Sequence, residues 1–398
     1  MSLLIQQGYG KGDKINVCME KKIVNGVILS PRDDTINNIE DLIKDIYEKD
    51  NKSKIIFDPQ FYYSTYIDGT YKKLNDAEYF PGHIKLSELR SFRNINHYVT
   101  STLDFQNDLG LGVLVSPTIL VPNFSDRQAQ ISLSLAEESA SYSKKIGKEL
   151  LVSLVFKESA LNETSNVHEF LNELTTLDVK GFYITVARNT VNYDQTFDDH
   201  TSLSNLLTMI YSLGEINEYE VIMGYSDIIG LLYLTVGATY ISTGWHNSSK
   251  KFTEQQRILP VSGGRQPRER YTSIPLLNSI RTTELDSIYK QFNDDDFKIF
   301  LSNAPRENII KTGTPSAGWS RNHSHIHHWG SLNKYISNIA GMTIEDRVGF
   351  MESSINNAKG LYRILDTNSI QLDPSSSGKH LSIWEDALKH FKEKHYIL

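Results

Sequence analysis

A chain of 398 residues is long enough to bury a full core, as one large domain or as two. The single cysteine, Cys18, excludes an internal disulfide and a cysteine-rich zinc site, and the formal net charge of −7 excludes a general attraction to nucleic acid or acidic lipid, so any polyanion must be held by a local basic patch. No run approaches the roughly 18 apolar residues of a membrane span, and the N-terminus lacks a charged-then-apolar leader, which predicts a cytoplasmic protein with no membrane partner.

In chain order, residues 1–22 read as a short lead-in with a hairpin across the glycine-rich QGYGKGDK. The first clear strand is Ile23–Leu29, followed by an amphipathic helix in which Ile36, Ile39, Leu42, Ile43 and Ile46 recur at helical spacing. A second strand, Lys54–Phe57, runs into Asp58, Pro59 and Gln60, then into a tyrosine-rich loop (Tyr62, Tyr63, Tyr66, Tyr71, Tyr79) that is too long for a plain connector. The helical stretch Leu86–Asp104 follows. Further strands are expected at Gly112–Ser116, Leu150–Phe156, Gly181–Ala187, Val221–Gly224 and Thr239–Thr243, separated by helical segments, the clearest beginning at a Ser125 N-cap.

These strands are continuous apolar runs, as expected when both faces of a parallel sheet are covered. The pattern predicts an α/β fold, a TIM-like (β/α)8 barrel over residues 1–284 with a helical C-terminal region over 285–398. Seven strands are legible, and either the lead-in or Arg257–Val261 supplies the eighth. In the C-terminal region, Thr343 and Asp346 offer a capping box at the start of the best amphipathic segment.

Parallel barrels keep their chemistry at the carboxyl rim, and here the strand ends supply carboxylates and cations together. That mixture suits cleavage of an N-glycosidic bond, where an oxocarbenium-like sugar develops beside phosphate. Asp58 is the first choice as catalytic carboxylate, with Glu158 and Asp33 in reserve. Arg32, Gln60, Lys157, Arg188, Tyr225, Trp245 and His246 are the expected substrate-binding residues. The plainer alternatives are a strand-end Asp58 capping its own turn, and ion pairs joining Glu158 and Asp33 to rim cations.

After the last legible strand, Lys250, Lys251, Arg257, Arg265, Arg268 and Arg270 surround Gly263-Gly264. Late barrel loops with glycine suit phosphate, and so many cations suit a strand of nucleic acid; a solvated loop paired with Glu254 and Glu269 is the alternative. Tyr62, Tyr63, Tyr66 and Trp245 are placed to stack on a base turned out of its helix. His323, His325, His327 and His328 invite a zinc reading, but the cluster opens a helix in the C-terminal region, where phosphate contact or packing fits better; no metal or other cofactor is expected.

The segments IIFDPQF (55–61) and VIMGYSDIIGLLYLTVGATYISTGW (221–245), with the strand order and spacing over about residues 50–247, resemble the tRNA-guanine transglycosylase family and its DNA-modifying branch. Those enzymes exchange a guanine base in nucleic acid for a 7-deazaguanine. The resemblance implies that Asp58 matches the Asp at the base pocket and that the substrate class is nucleic acid; DNA is the expected partner ahead of RNA, a choice the sequence alone leaves open. It also has departures. Ser242 and Thr243 stand where the family carries its nucleophilic Asp, Pro59-Gln60 replaces its Gly-Gly, Phe156-Lys157-Glu158 and Val186-Ala187-Arg188 replace two glycine-bearing strand ends, and its zinc motif is absent. The expectation is a DNA glycosylase-like enzyme that excises a modified base, as in antiviral defence. The alternatives are transglycosylase-like base exchange, a catalytically inactive nucleic-acid-binding barrel, and a metal-dependent hydrolase built on the histidines.

Overall fold

Short aliphatic strands alternating with amphipathic helices can bury both sheet faces only by winding helices around the outside, and the chain does so. The computed structural model describes residues 1–397 except 67–70, 192, 258–267, 293, 306 and 313. Nine strands follow in chain order: β1 (Ser2–Gln6), β2 (Gly26–Leu29), β3 (Lys54–Phe57), β4 (Val113–Val115), β5 (Leu120–Val121), β6 (Glu149–Lys157), β7 (Gly181–Ala187), β8 (Glu220–Met223) and β9 (Tyr240–Thr243). Their hydrogen-bonded order is β3-β2-β1-β9-β8-β7-β6-β4, with the short β5 beside the end of β6, and every pair in this sheet is parallel. β3 and β4 meet side by side without a ladder among the described residues, so the barrel is nearly closed.

The lead-in supplies the eighth barrel strand. Leu3, Leu4 and Ile5 are fully buried, and β1 sits between β2 and β9 in the register Leu4↔Gly26 and Leu4↔Ser242. The hairpin expected there is instead this strand and a helix, Lys14–Glu20. Of Arg257–Val261, residues 258–261 lie outside the described residues, and Arg257 ends a short helix, Glu254–Arg257.

One other local expectation differs from the structure. Asp126, not Ser125, is the N-cap of helix Arg127–Lys145, because Ser125 turns its hydroxyl to the Asn123 side chain at 3.1 Å. The second apolar core gathers Tyr271, Leu276 and Ile280 of an antiparallel hairpin, β10 (Arg270–Ser273) and β11 (Asn278–Arg281), with Leu285, Phe300, Trp319 and Leu365. It therefore begins ahead of residue 285. Thr343 does cap helix Ile344–Thr367, accepting from the Asp346 amide at 3.2 Å, and Met351, Ile355, Trp384 and Phe391 from the last helices join the main barrel core. No helix among the described residues is long and apolar enough to cross a membrane.

Inside the barrel the strand period of two sets the layers. Leu4, Ile28, Ile56, Val115, Leu151, Tyr183 and Ile222 form an apolar inner cluster. Two residues further along the same strands, toward the carboxyl rim, come Gln6, Ser30, Asp58, Ser153, Thr185 and Gly224, with Ser242 beside them on β9. The polar side chains of this upper layer are almost wholly buried.

Candidate active site at the carboxyl rim

Register brings the first group together. Leu29 of β2 is level with Phe57 of β3, so the residues after them, Ser30 and Asp58, leave the sheet side by side. Asp58 accepts from the Gln60 amide at 3.1 Å and from the phenols of Tyr62 and Tyr183 at 3.1 and 3.2 Å. Burial, and then the Asp58 charge, pushes both phenols far up, so they remain protonated donors. Gln60 donates from Nε2 to the Ser30 hydroxyl at 2.9 Å and accepts from the Arg32 amide at 3.0 Å; Ser30 in turn donates to Asp33 at 3.0 Å. The Arg32 guanidinium lies 3.6 Å from Asp33 and 4.9 Å from the Tyr63 ring centre. Asp58, Gln60, Arg32 and Asp33 are thus one connected network.

Gln60 holds φ +53°, and Tyr225 and Asp227 at the end of β8 hold +50° and +48°. Left-handed backbone at non-glycine residues is costly and tends to persist where a site demands it.

Beside Asp58, the upper layer has unsatisfied groups. Ser242 donates to Gln6 Oε1 at 2.8 Å, yet Gln6 Nε2 and Ser153 Oγ have no partner among the described residues. Buried amide and hydroxyl groups are costly when unpaired, which marks this layer as a place for a polar ligand or water. Gly224 lets Thr185 and Tyr183 pack close to the backbone: a Cβ there would lie 2.7 Å from Thr185 Oγ1 and 2.8 Å from the Tyr183 ring. Gly224→Ala is accordingly expected to destabilise by about 1–3 kcal/mol and to disturb the Tyr183–Asp58 bond. A thermal unfolding curve unchanged from the parent would contradict that packing. Over the mouth, Phe252 meets Tyr62 and Tyr225 edge-on, with ring centres 5.5 and 5.6 Å apart, as an aromatic roof.

A second group forms where β6 and β7 end. Lys157 is level with Ala187, so Glu158 and Arg188 emerge opposite one another and pair, Nε donating to Oε2 at 2.7 Å. Glu158 also accepts from the Asp198 amide at 2.7 Å, and Arg188 donates to the Thr196 carbonyl at 2.6 Å while lying on the Phe197 ring. Lys157 instead turns to Glu254 at 2.8 Å. Trp245 donates to the Tyr9 carbonyl at 2.8 Å, and His246 Nε2 lies 3.2 Å from the same oxygen.

A third group joins rim residues Asp227 and Lys250 to His328, a meeting that no local sequence signal announces. Asp227 contacts His328 Nε2 at 2.9 Å and Lys250 at 3.6 Å, and accepts from Gln195 at 2.8 Å. Burial alone would raise its pKa, but Lys250 and His328 outweigh burial and hold the carboxyl below its usual range. Burial pushes His328 down to about 4, with Lys250 acting in the same direction against Asp227. His328 Nδ1 lies 2.8 Å from the Thr272 hydroxyl and Nε2 lies 3.4 Å from the Thr243 hydroxyl, and a neutral imidazole donates at one nitrogen and accepts at the other. The other imidazoles turn to other partners: His327 to Glu307 at 2.9 Å, and His323 to the Ser320 cap. Among the described residues no three His, Cys, Asp or Glu side chains converge as a metal site.

These histidines carry a pH signature. His328 and His380 are buried with pKa values of about 4 against an ordinary 6.5, so the unfolded chain binds their protons first. Their contribution to stability is complete above about pH 6.5 and is lost as pH falls toward about 4. Melting is expected at clearly lower temperature at about pH 4.5 than at about pH 7.5. Equal melting temperatures would mean that both rings are charged in the fold.

The basic residues do not form one outward strip. Lys251 is 1% exposed and points inward to the Asp194 carbonyl, its pKa pushed down to about 8 by burial and then by Arg188. Arg270 donates to Ser375 at 2.9 Å and covers the Tyr193 ring. Arg268 is exposed, while Arg265 and the side chain of Arg257 lie outside the described residues.

No protein-family model matches the chain, and no curated protein matches it.

Proposed function

We propose that the protein cleaves the N-glycosidic bond of a base in nucleic acid, with Asp58 as the catalytic carboxylate. The observation that carries this reading is the polar upper layer of the barrel: one buried carboxylate held by two phenols, beside Gln6 Nε2 and Ser153 Oγ, which have no partner among the described residues. A nucleobase edge offers acceptors and donors of the kind such groups need, and aromatic rings such as Tyr62 and Phe252 suit the faces of an extruded base.

In this reading the bond from C1′ to the base nitrogen breaks and its electron pair leaves with the base. The sugar becomes oxocarbenium-like, opposed by the Asp58 charge in a water-poor site. Water then bonds to C1′, and its proton passes through Asp58 to the released base. The Ser242 hydroxyl, committed to Gln6 at 2.8 Å, supplies no carboxylate for a covalent intermediate, which favours excision over exchange. The single cysteine, Cys18, is buried and in no disulfide, which fits work in the cytoplasm. A second reading, a barrel that binds nucleic acid without turnover, draws on the complete burial of Asp58 beneath its aromatic roof.

The test is a base-release assay on DNA and RNA carrying modified and unmodified bases. Abasic sites formed without added base indicate excision, and Ser242→Ala should form them too. Incorporation of a labelled free base indicates exchange. Binding with neither product leaves the second reading.

A further inference from the structure

A pocket of about 130 Å³ lies outside the barrel mouth, where the loops after β7 and β9 meet the hairpin β10–β11 and the first turns of helix Arg321–Ile339. Four cations line it, Lys250, Arg268, Arg270 and Arg321, against one carboxylate, Glu269, which lies 3.6 Å from Arg321. Lys250 is held from behind by Asp227, and Arg270 by Ser375 and Tyr193, so both heads are fixed before any ligand arrives. Two lining nitrogens, Arg270 Nε and His325 Nδ1, have no partner among the described residues. Burial, then Lys250 and Lys14, pushes the His325 imidazole down to about 3, as expected where the surroundings are strongly positive. β9 is also the eighth barrel strand in chain order, and late barrel loops are where such folds commonly hold phosphate.

We propose that this pocket seats a single phosphate group, with Lys250, Arg268, Arg270 and Arg321 as its charged walls. The cations converge on one small space instead of following a line, and Lys251, next in sequence to Lys250, turns away from it to the Asp194 carbonyl. The chemistry is that of a phosphate mono- or diester. If the substrate is nucleic acid, as proposed above, the seat fixes one backbone phosphate near the barrel mouth. The seat itself does not depend on that reading.

The test is calorimetric titration of the full chain at low salt with three probes: inorganic phosphate, a nucleoside 5′-monophosphate, and a short single-stranded DNA without terminal phosphate. Arg268→Gln and Arg321→Gln are the variants, because both residues are exposed and neither supports the core. Each should weaken the occupying probe about tenfold, the effect of losing a charged hydrogen bond. Weakening confined to the DNA probe identifies a backbone diester, and weakening confined to the small probes identifies a free monoester; either supports the seat. No binding of any probe, or binding unchanged in both variants, overturns it. Measuring base release alongside the titrations separates the two proposals. Retained phosphate binding in a parent protein that releases no base would sink the glycosidic reading alone, whereas base release with phosphate affinity unchanged in Arg268→Gln and Arg321→Gln would sink the seat alone.

Discussion

Asp58→Asn is expected to lower base release by about 10²–10³-fold while leaving the fold and nucleic-acid binding in place. The amide has the shape of the carboxylate: its oxygen can keep the bond from the Gln60 amide at 3.1 Å, and its NH2, in the place of the oxygen that took both phenols, can donate to a phenol oxygen whose own proton turns away, so the site need not collapse. On the proposed mechanism, what it removes is the negative charge that would face the developing oxocarbenium ion, in a layer where Asp58, Gln6 and Ser242 are all fully buried. Loss of charge should therefore appear in the chemical step and not in substrate affinity. Single-turnover rates alongside melting curves check this, and full activity in Asp58→Asn would remove Asp58 from the chemistry.

The largest stability effect is expected at Arg188. Arg188→Ala leaves Glu158 buried with the Asp198 amide as its remaining donor shown above, since the paired side chains are only 4% and 2% exposed. Breaking a buried pair on one side costs about 3–5 kcal/mol, because the stranded charge has lost its partner and cannot reach water. Replacing both members, as Arg188→Met with Glu158→Gln, should recover much of that loss. Urea unfolding of the three proteins decides it. A loss below about 1 kcal/mol for Arg188→Ala would mean that the pair behaves like an exposed one.

The sequence made visible what depends on local periodicity. β3 and β7 match their expected bounds because each is a largely apolar run stopped by a polar rim residue, Asp58 or Arg188. The Asp58–Gln60–Ser30–Asp33 network was half legible for the same reason: neighbouring parallel strands in register deliver adjacent ends, so candidates chosen as strand ends meet. β1 was one of two candidates for the eighth strand, because its apolar run without alternation stands ahead of a glycine-rich turn with no helix before it to mark its start; Gln6, the polar end of that strand, was not singled out.

His328 lay beyond local reading altogether. Its partners Asp227 and Thr272 come from the β8 loop and the hairpin, and only the fold brings a helix of the C-terminal region onto the rim. Neighbouring lysines behaved as differently as distant ones. Lys250 and Lys251 look alike in sequence, but the turn after helix Asn247–Lys250 sends one to Asp227 and the other to the Asp194 carbonyl.

The most direct measurement is a crystal structure of Asp58→Asn protein bound to DNA that the parent protein processes. The account predicts one extruded base in the barrel mouth, its edge against Gln6 and its sugar C1′ facing residue 58. A base lodged anywhere else, or a duplex bound with every base still stacked, would contradict it.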